Sequence, residues 1–148
     1  MLKKKEESRV KRLLKACHIL LEKPLELDEV VAAEAGLKLE YVKALRDALS
    51  DLRMLFPNKP KSWFIRAAVR SFYVKKVSKN HWTVQGIRIL GDHYTEYHVT
   101  FNGEKYSCSC YVHLYGYTRR KRICTHIVAV MVNERILRKL GFKKFKKT

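Results

Sequence analysis

The stretch CSCYVHLYGYTRRKRICTH, residues 108–126, contains three of the chain's four cysteines and a run of four cations. Cys108 and Cys110 are two apart at the end of a predicted strand, so both thiols project from the same side. Cys124 and His126 are two apart at the start of a predicted helix, where a turn aims both inward. The two pairs therefore offer three thiolates and one imidazole, which is a complete tetrahedral set for Zn²⁺.

Two other interpretations of these sulfurs remain open. A disulfide is disfavoured because no secretory signal is visible and because three cysteines cannot all pair within the segment. Unligated buried thiols are the second alternative, since free cysteine is often buried, but they do not account for a histidine at ligand spacing. Cys17 is expected to pack in a helix, and His113 is a substitute ligand candidate.

The residues around this stretch predict a small sheet followed by a helix. Three strands are expected over residues 81–90, 93–101 and 105–110, with Gly91-Asp92 and Asn102-Gly103 as the turns between them. The segment SFYVKKV, residues 71–77, fits either the end of a helix or a strand. CTHIVAVMVNERILRKLG, residues 124–141, has an apolar stripe at helical spacing and ends at a glycine.

The first part of the chain predicts helices. The first apolar stripe, at helical spacing, consists of Val10, Leu13, Leu14, Cys17, Leu20 and Leu21. Residues 25–49 resemble a helix-turn-helix with Gly36 at the turn, but the outward side of the second helix mixes Lys43 and Arg46 with Asp47 and Asp51. A near-neutral face favours a structural or docking bundle over a recognition helix.

A strand hairpin followed by Cys-x-Cys, an insert and Cys-x-His leading a helix resembles the SWIM zinc finger. Here the motif is Cys108-Ser109-Cys110, thirteen residues, then Cys124-Thr125-His126, and the resemblance covers about residues 80–132. The family occurs in plant Mutator-type transposases, in bacterial proteins beside chromatin-type helicases and in eukaryotic recombination accessory proteins. The resemblance implies a zinc-bound module that binds DNA or proteins.

The expected fold is therefore α+β, with an N-terminal helical bundle followed by an antiparallel three-stranded sheet and a helix that holds a zinc site. Two prolines in FPNKPKS, residues 56–62, indicate a linker. The predicted division is a helical region over residues 1–57, a SWIM-like zinc-binding domain over residues 62–142 and a basic tail over residues 143–148.

The charge of the chain is concentrated in its second part. The formal net charge is +18, and residues 61–148 carry 19 basic and 4 acidic side chains, against 13 and 10 in residues 1–60. Such an excess favours a polyanionic partner, above all DNA or RNA. The candidate nucleic-acid contacts are the four cations Arg119, Arg120, Lys121 and Arg122, the nearby Tyr115 and Tyr117, and the basic residues Lys75, Lys76, Lys79, Arg135, Arg138 and Lys139.

The sequence thus predicts a non-enzymatic nucleic-acid-binding protein, with a component of a ribonucleoprotein particle as one form of it. No phosphate-binding glycine loop and no convincing cluster of carboxylates is present, although Glu96 and His98 share one face of a strand. The alternative is an adaptor of a recombinase or helicase that docks a protein through residues 10–52. No signal peptide or membrane span is visible, so a cytoplasmic location without membrane contact is expected.

Overall fold

The computed structural model describes residues 2–110 and 123–140, with side chains in the second range as far as Ile136. Within these ranges the predicted α+β layout is confirmed. The helices are α1 (Lys4–Glu22), α2 (Asp28–Ala35), α3 (Leu39–Leu55), α4 (Lys61–Arg70) and α5 (Thr125–Leu140), and the strands are β1 (Val74–Ser78), β2 (His81–Gln85), β3 (Glu96–Phe101) and β4 (Tyr106–Cys108).

The first three helices form because their apolar residues recur at helical spacing and can be buried together. In α1 the buried residues include Val10, Leu13 and Cys17, as the sequence pattern predicts. Helix α2 ends at Gly36, whose φ of 71° lies in the left-handed region that glycine adopts without strain. This glycine turns the chain into α3, so α2 and α3 follow each other as the sequence pattern predicts.

The sheet has four antiparallel strands in the order β1-β2-β3-β4, so the expectation of three strands is wrong. The additional strand, β1, comes from the segment that fitted either a helix or a strand. Four of its five residues are exposed, so it shows no apolar alternation, and its lysines are typical of an edge strand. An edge strand of this kind gives almost no periodic signal in a sequence.

The first predicted strand is shorter than expected. Strand β2 ends at Gln85, and the chain then forms a 3-10 turn over residues 88–90 instead of continuing extended. At Gly86 a Cβ atom would lie 1.8 Å from the carbonyl oxygen of Tyr94, so only glycine fits this close approach. After Gly86 the chain leaves the strand, and Ile87 and Asp92 are both buried in the interior.

Helix α5 belongs to two clusters of buried residues. Val128, Val132 and Ile136 pack into the core formed by α1 to α4. Ile127 and Val130 pack against the inner face of the sheet, next to Trp82 and Val99. The start of α5, where two of the predicted metal ligands lie, is consequently held between the helical bundle and the sheet.

Candidate metal centre

The structure brings the four predicted ligands together. Cys108 ends β4, Cys110 follows two residues later, Cys124 directly precedes α5, and His126 is in the first turn of α5. The ligand atoms of these four residues all lie within 4.8 Å of one another. Cys108, Cys124 and His126 are buried and Cys110 is half-buried. The described part of the chain therefore contains one Cys3His cluster that could hold a metal ion.

Local hydrogen bonds explain why the first pair of thiols converges. The amide of Ser109 donates to the carbonyl of His98 at 2.9 Å, which continues the β3–β4 pairing one residue beyond β4. The amide of His98 in turn donates to the Ser109 hydroxyl at 3.0 Å. Beyond this anchor the chain turns, and the amide of Cys110 lies 3.5 Å from the Cys108 sulfur.

The second pair is arranged by the beginning of α5. The amide of Ile127 lies 3.5 Å from the Cys124 sulfur, and the amide of Val128 donates to the carbonyl of Cys124 at 3.1 Å. Amides at the start of a helix have no partner within the helix, and they favour a negatively charged sulfur. Cys124 therefore occupies a position that suits a thiolate ligand.

The donor set fits a tetrahedral ion. With metal–sulfur distances of about 2.3 Å, neighbouring sulfur atoms of a tetrahedral zinc site are about 3.8 Å apart. The 4.8 Å limit on all ligand-atom separations is about 1 Å above that value, so small side-chain movements suffice to close the cluster around one ion. Four protein ligands complete such a coordination sphere.

The hydrogen bonds of His126 indicate which ring nitrogen is available to a metal ion. Its Nε2 lies 3.0 Å from Oδ1 of Asp92, whereas its buried Nδ1 has no hydrogen-bond partner. Histidine ligands of metals commonly donate their other ring N–H to a carboxylate, which fixes the tautomer. A buried nitrogen without a partner is unfavourable, and a metal bond satisfies it. Nδ1 is therefore the nitrogen available to a metal ion.

Asp92 is a further residue of the candidate site, which the sequence pattern places only in a turn. Its Oδ2 accepts the amide hydrogen of Ile87 at 2.9 Å, and its Oδ1 lies 2.7 Å from Nη2 of Arg70. Arg70 also donates to the Thr125 hydroxyl at 3.0 Å and to the carbonyl of Leu90 at 3.3 Å. The signal in the sequence is weak: Asp92 is a single acidic residue next to Gly91, in a part of the chain with few acids.

An aromatic ring packs against the face of the His126 imidazole. Tyr97 stacks on His126 with 4.0 Å between the ring centroids and 23° between the planes. The Tyr97 hydroxyl accepts the amide hydrogens of His93 at 3.1 Å and Tyr94 at 3.3 Å. The stacking confines the plane of the imidazole, and the hydroxyl contacts fasten the connection that carries Asp92.

Charge within the site shifts several pKa values. Burial acts to raise the pKa of Asp92, but its contacts with His126 and Arg70 outweigh burial and lower the pKa to about 2. Burial likewise acts to lower the pKa of His126, but the Asp92 carboxylate and the Cys110 and Cys124 thiols raise it to about 10. Asp92 is therefore a carboxylate at neutral pH, and metal-free His126 is an imidazolium that has to release its Nδ1 proton for a metal ion to bind there.

Hydrogen bonds among the three thiols shift the pKa values of two of them in opposite directions. Hydrogen bonds from Cys108 and Cys110 lower the pKa of Cys124, and hydrogen bonding to Cys110 and Cys124 raises that of Cys108. Three thiols this close together cannot all ionise unless a cation joins them. A divalent ion would remove this restriction and turn all three into thiolates.

The predicted nucleic-acid contacts have different placements. Lys75 and Lys76 are exposed on β1 and Lys79 is exposed in the turn after it. The Lys76 ammonium lies 3.9 Å from Oε1 of Glu134, and Nη1 of Arg135 lies 2.8 Å from Oδ2 of Asp51 on α3. The predicted site residues that lie outside the described residues or side chains are His113, Tyr115, Tyr117, Arg119, Arg120, Lys121, Arg122, Arg138, Lys139 and the tail over residues 143–148.

Two other groups singled out in the sequence have clear positions. Cys17 is fully buried in the helical core, as expected for a packing residue. On the exposed face of the sheet, Nε2 of His81 lies 2.9 Å from Nδ1 of His98, and Nε2 of His98 lies 3.4 Å from Oε1 of Glu96. Among the helices that the structure describes, none has the length and apolar character that crossing a membrane requires.

Comparisons with known proteins leave the centre to be interpreted from its own chemistry. No protein-family model matches the chain, and neither a curated protein nor a solved structure matches it significantly.

Proposed function

We propose that this chain is a SWIM-type zinc protein without enzymatic activity that binds nucleic acid. The observation that carries the proposal is the cluster itself: three thiols and a buried histidine, whose ligand atoms all lie within 4.8 Å of one another, with one ring nitrogen of the histidine left without a partner. The Cys-x-Cys and Cys-x-His spacings, with a strand hairpin before them and a helix after them, support the SWIM assignment.

Zinc is the metal that suits these ligands best. Thiolates are soft ligands that select Zn²⁺, Cu⁺ or iron–sulfur clusters, and a tetrahedral set of sulfur and imidazole is typical of structural zinc. Four protein ligands leave no coordination position for water or substrate, which supports a structural role for the ion. That closed set is the basis of the non-enzymatic assignment.

Nucleic-acid binding is supported by the distribution of charge. The thirteen residues between Cys110 and Cys124 include Arg119, Arg120, Lys121 and Arg122, so both ends of this basic segment are attached to ligands of one ion. Lys75, Lys76 and Lys79 add exposed positive charge on β1 and in the turn after it.

The metal part of the proposal is tested by elemental analysis of the purified protein. We expect one zinc ion per chain, with loss of the ion after Cys124→Ser. The matched control is Cys17→Ser, which removes the one thiol outside the cluster and should leave the zinc content unchanged. Protein that contains no stoichiometric metal would contradict the proposal.

The nucleic-acid part is tested by fluorescence anisotropy over a range of salt concentrations with duplex DNA, single-stranded DNA and structured RNA. Replacing Arg119, Arg120, Lys121 and Arg122 with alanine should weaken binding and reduce the log–log salt slope by about 0.7 to 0.9 for each phosphate that is no longer neutralised. The control replaces four exposed cations of the helical half with alanine, namely Lys11, Lys15, Lys38 and Lys43. Equal effects of the two sets, or binding that does not respond to salt, would reject the proposal. Co-sedimentation with ribosomal subunits would identify a ribonucleoprotein component.

A second candidate function, a protein adaptor, is favoured by exposed apolar side chains in the helical half. Leu25 is 96% exposed and Met54 is 79% exposed, and Leu27 and Leu55 are also exposed. Capture of a partner that persists in high salt and is lost after Leu25→Ser and Leu27→Ser would support this function. Exposed single leucines also occur on ordinary surfaces, so persistence in salt is the decisive result.

A further inference from the structure

Three buried side chains connect helix α4 of the bundle to the candidate metal centre. Arg70, at the end of α4, contacts Asp92 at 2.7 Å, and Asp92 contacts His126 at 3.0 Å. All three side chains are less than a tenth exposed. None of the sequence patterns joins these residues, since they lie 22 and 34 positions apart along the chain.

We propose that Asp92 is a positioning residue that presents Nδ1 of His126 to the metal, and that Arg70, acting through Asp92, makes the metal affinity depend on the docking of α4. This inference rests on the proposed zinc binding and adds to it a link between the metal and the helical half. Neither residue is a ligand.

The contacts of Asp92 leave its carboxylate little freedom. One oxygen accepts the amide hydrogen of Ile87, and the other is shared between Arg70 and His126. A fixed carboxylate facing Nε2 keeps the proton of the neutral imidazole on that nitrogen, so the lone pair is on Nδ1, the buried nitrogen without another partner. Outer partners of this kind typically change metal affinity by about 10- to 100-fold when they are removed.

The hydrogen bonds of Arg70 are made to residues around the candidate metal centre and not to the helical bundle. Its two terminal nitrogens donate to Thr125, Leu90 and Asp92, whereas its buried Nε has no partner. A buried guanidinium is strongly unfavourable without its carboxylate. Arg70 and Asp92 therefore depend on each other, and displacing α4 would withdraw the cation that holds Asp92 against His126.

The first experiment measures zinc affinity by competition with a chelator in the full chain and in Asp92→Asn. We expect binding about 10- to 100-fold weaker in the variant. The control is Glu96→Gln, which alters a carboxylate that contacts His98 on the exposed face of the sheet, and it should bind zinc as the unaltered chain does. Unchanged affinity in Asp92→Asn would overturn the role of Asp92.

A second readout separates positioning from a general loss of structure. In the zinc-loaded protein, ¹⁵N NMR of the imidazole should show His126 with its proton on Nε2 and the metal on Nδ1. Zinc-saturated Asp92→Asn should lose the slow exchange of the Nε2 proton, or bind the metal through Nε2 as well as Nδ1, while its circular dichroism spectrum stays that of the folded protein. A metal bond at Nε2 in the unaltered chain would overturn the inference directly.

The link to α4 is tested with Arg70→Met, because Arg70 acts on His126 through Asp92. We expect zinc affinity on the order of tenfold weaker, and a double variant with Asp92→Asn that is no weaker than Asp92→Asn alone. The control is Arg135→Met, which removes another ion pair between α5 and the bundle, that with Asp51, away from the metal. Equal affinities of Arg70→Met and Arg135→Met would overturn the link.

Failure of the inference and failure of the proposed function give different results. If a variant is unfolded without zinc, we measure the zinc concentration at the midpoint of its refolding in place of the zinc affinity. We expect the variants to keep the same order by this measure. An unaltered chain that binds no zinc would reject the proposed function, whereas tight binding that ignores Asp92 and Arg70 would reject the inference alone.

Discussion

The helical half and the sheet half of the molecule differ in how much apolar packing holds them. Among the described residues, the core formed by α1 to α4 and one side of α5 has 24 buried members. The cluster between the sheet and α5 has eight, and two of these are the candidate ligands Cys108 and Cys124. The helical half can therefore rely on its core, whereas the sheet half needs a further source of stability, which a metal ion supplies in small domains.

Removal of the metal should have the largest effect on the difference in stability between the two halves. Structural zinc stabilises small fingers by about 10–16 kcal/mol, so chelation should unfold the sheet and leave the bundle helical. Alkylation followed by mass spectrometry provides the measurement: no modified thiol in the zinc-loaded protein, three after chelation, and the fourth, Cys17, only in denaturant.

The protection of Cys17 has a physical reason of its own. The side chain is fully buried in the bundle, and burial raises its pKa to about 12, so almost no reactive thiolate forms at neutral pH. Simultaneous alkylation of Cys17 and the three cluster thiols after chelation would mean that both halves unfold together.

A cavity in the helical core should have the second largest effect. Leu45 on α3 is fully buried, and Leu45→Ala should lower the free energy of unfolding of the bundle by about 2–5 kcal/mol. Zinc stoichiometry should stay at the value of the unaltered chain. Denaturant unfolding monitored by circular dichroism measures the first quantity and elemental analysis the second; zinc loss in this variant would contradict the prediction, because it would mean that the cavity also releases α4 from the metal centre.

A third prediction concerns the connection between β2 and β3. Because a Cβ at Gly86 would lie 1.8 Å from the carbonyl oxygen of Tyr94, Gly86→Ala forces the backbone to move. We expect a loss of about 1–3 kcal/mol in the free energy of unfolding of the sheet half. The control is Gly103→Ala, where a Cβ meets nothing within 4 Å but φ is 100°, so strain without a clash is measured. A smaller loss at Gly86 than at Gly103 would contradict the steric argument.

The smallest expected effect is at the edge of the sheet cluster. The Trp82 indole donates to Oε1 of Glu134 at 3.0 Å, so Glu134→Ala should cost about 0.5–1.5 kcal/mol of stability. Thermal unfolding monitored by tryptophan fluorescence provides the measurement. Glu134→Gln keeps an acceptor and should recover most of the loss; no difference between the two variants would assign the effect to the charge near Lys76.

Much of the fold could be predicted because its signals are local. The apolar stripe of α1, the left-handed residue at Gly36 and the turn at Asn102-Gly103, where Gly103 has a φ of 100°, all follow from neighbouring residues. The convergence of the ligands could be predicted too, since each pair is set by a short spacing on one element.

What could not be predicted depends on contacts between distant parts of the chain. The choice between helix and strand at β1 stayed open because an exposed edge strand has no apolar alternation. Arg70 gave no signal and Asp92 only a weak one, because each is an ordinary charged residue until folding brings the two together with His126. The contact of Asp28 on α2 with Arg46 of α3 at 2.6 Å likewise depends on how two helices pack.

Helix α5 has a consequence for how the sequence can vary. Its residues turn by about 100° each, and the side chains that meet the bundle alternate with those that meet the sheet. One residue inserted after Val130 would rotate Val132 and Ile136 away from the bundle while Ile127 stays in place. Insertions should therefore be tolerated in exposed turns of this molecule more readily than within α5. An insertion in α5 would change which of its side chains face the bundle and which face the sheet.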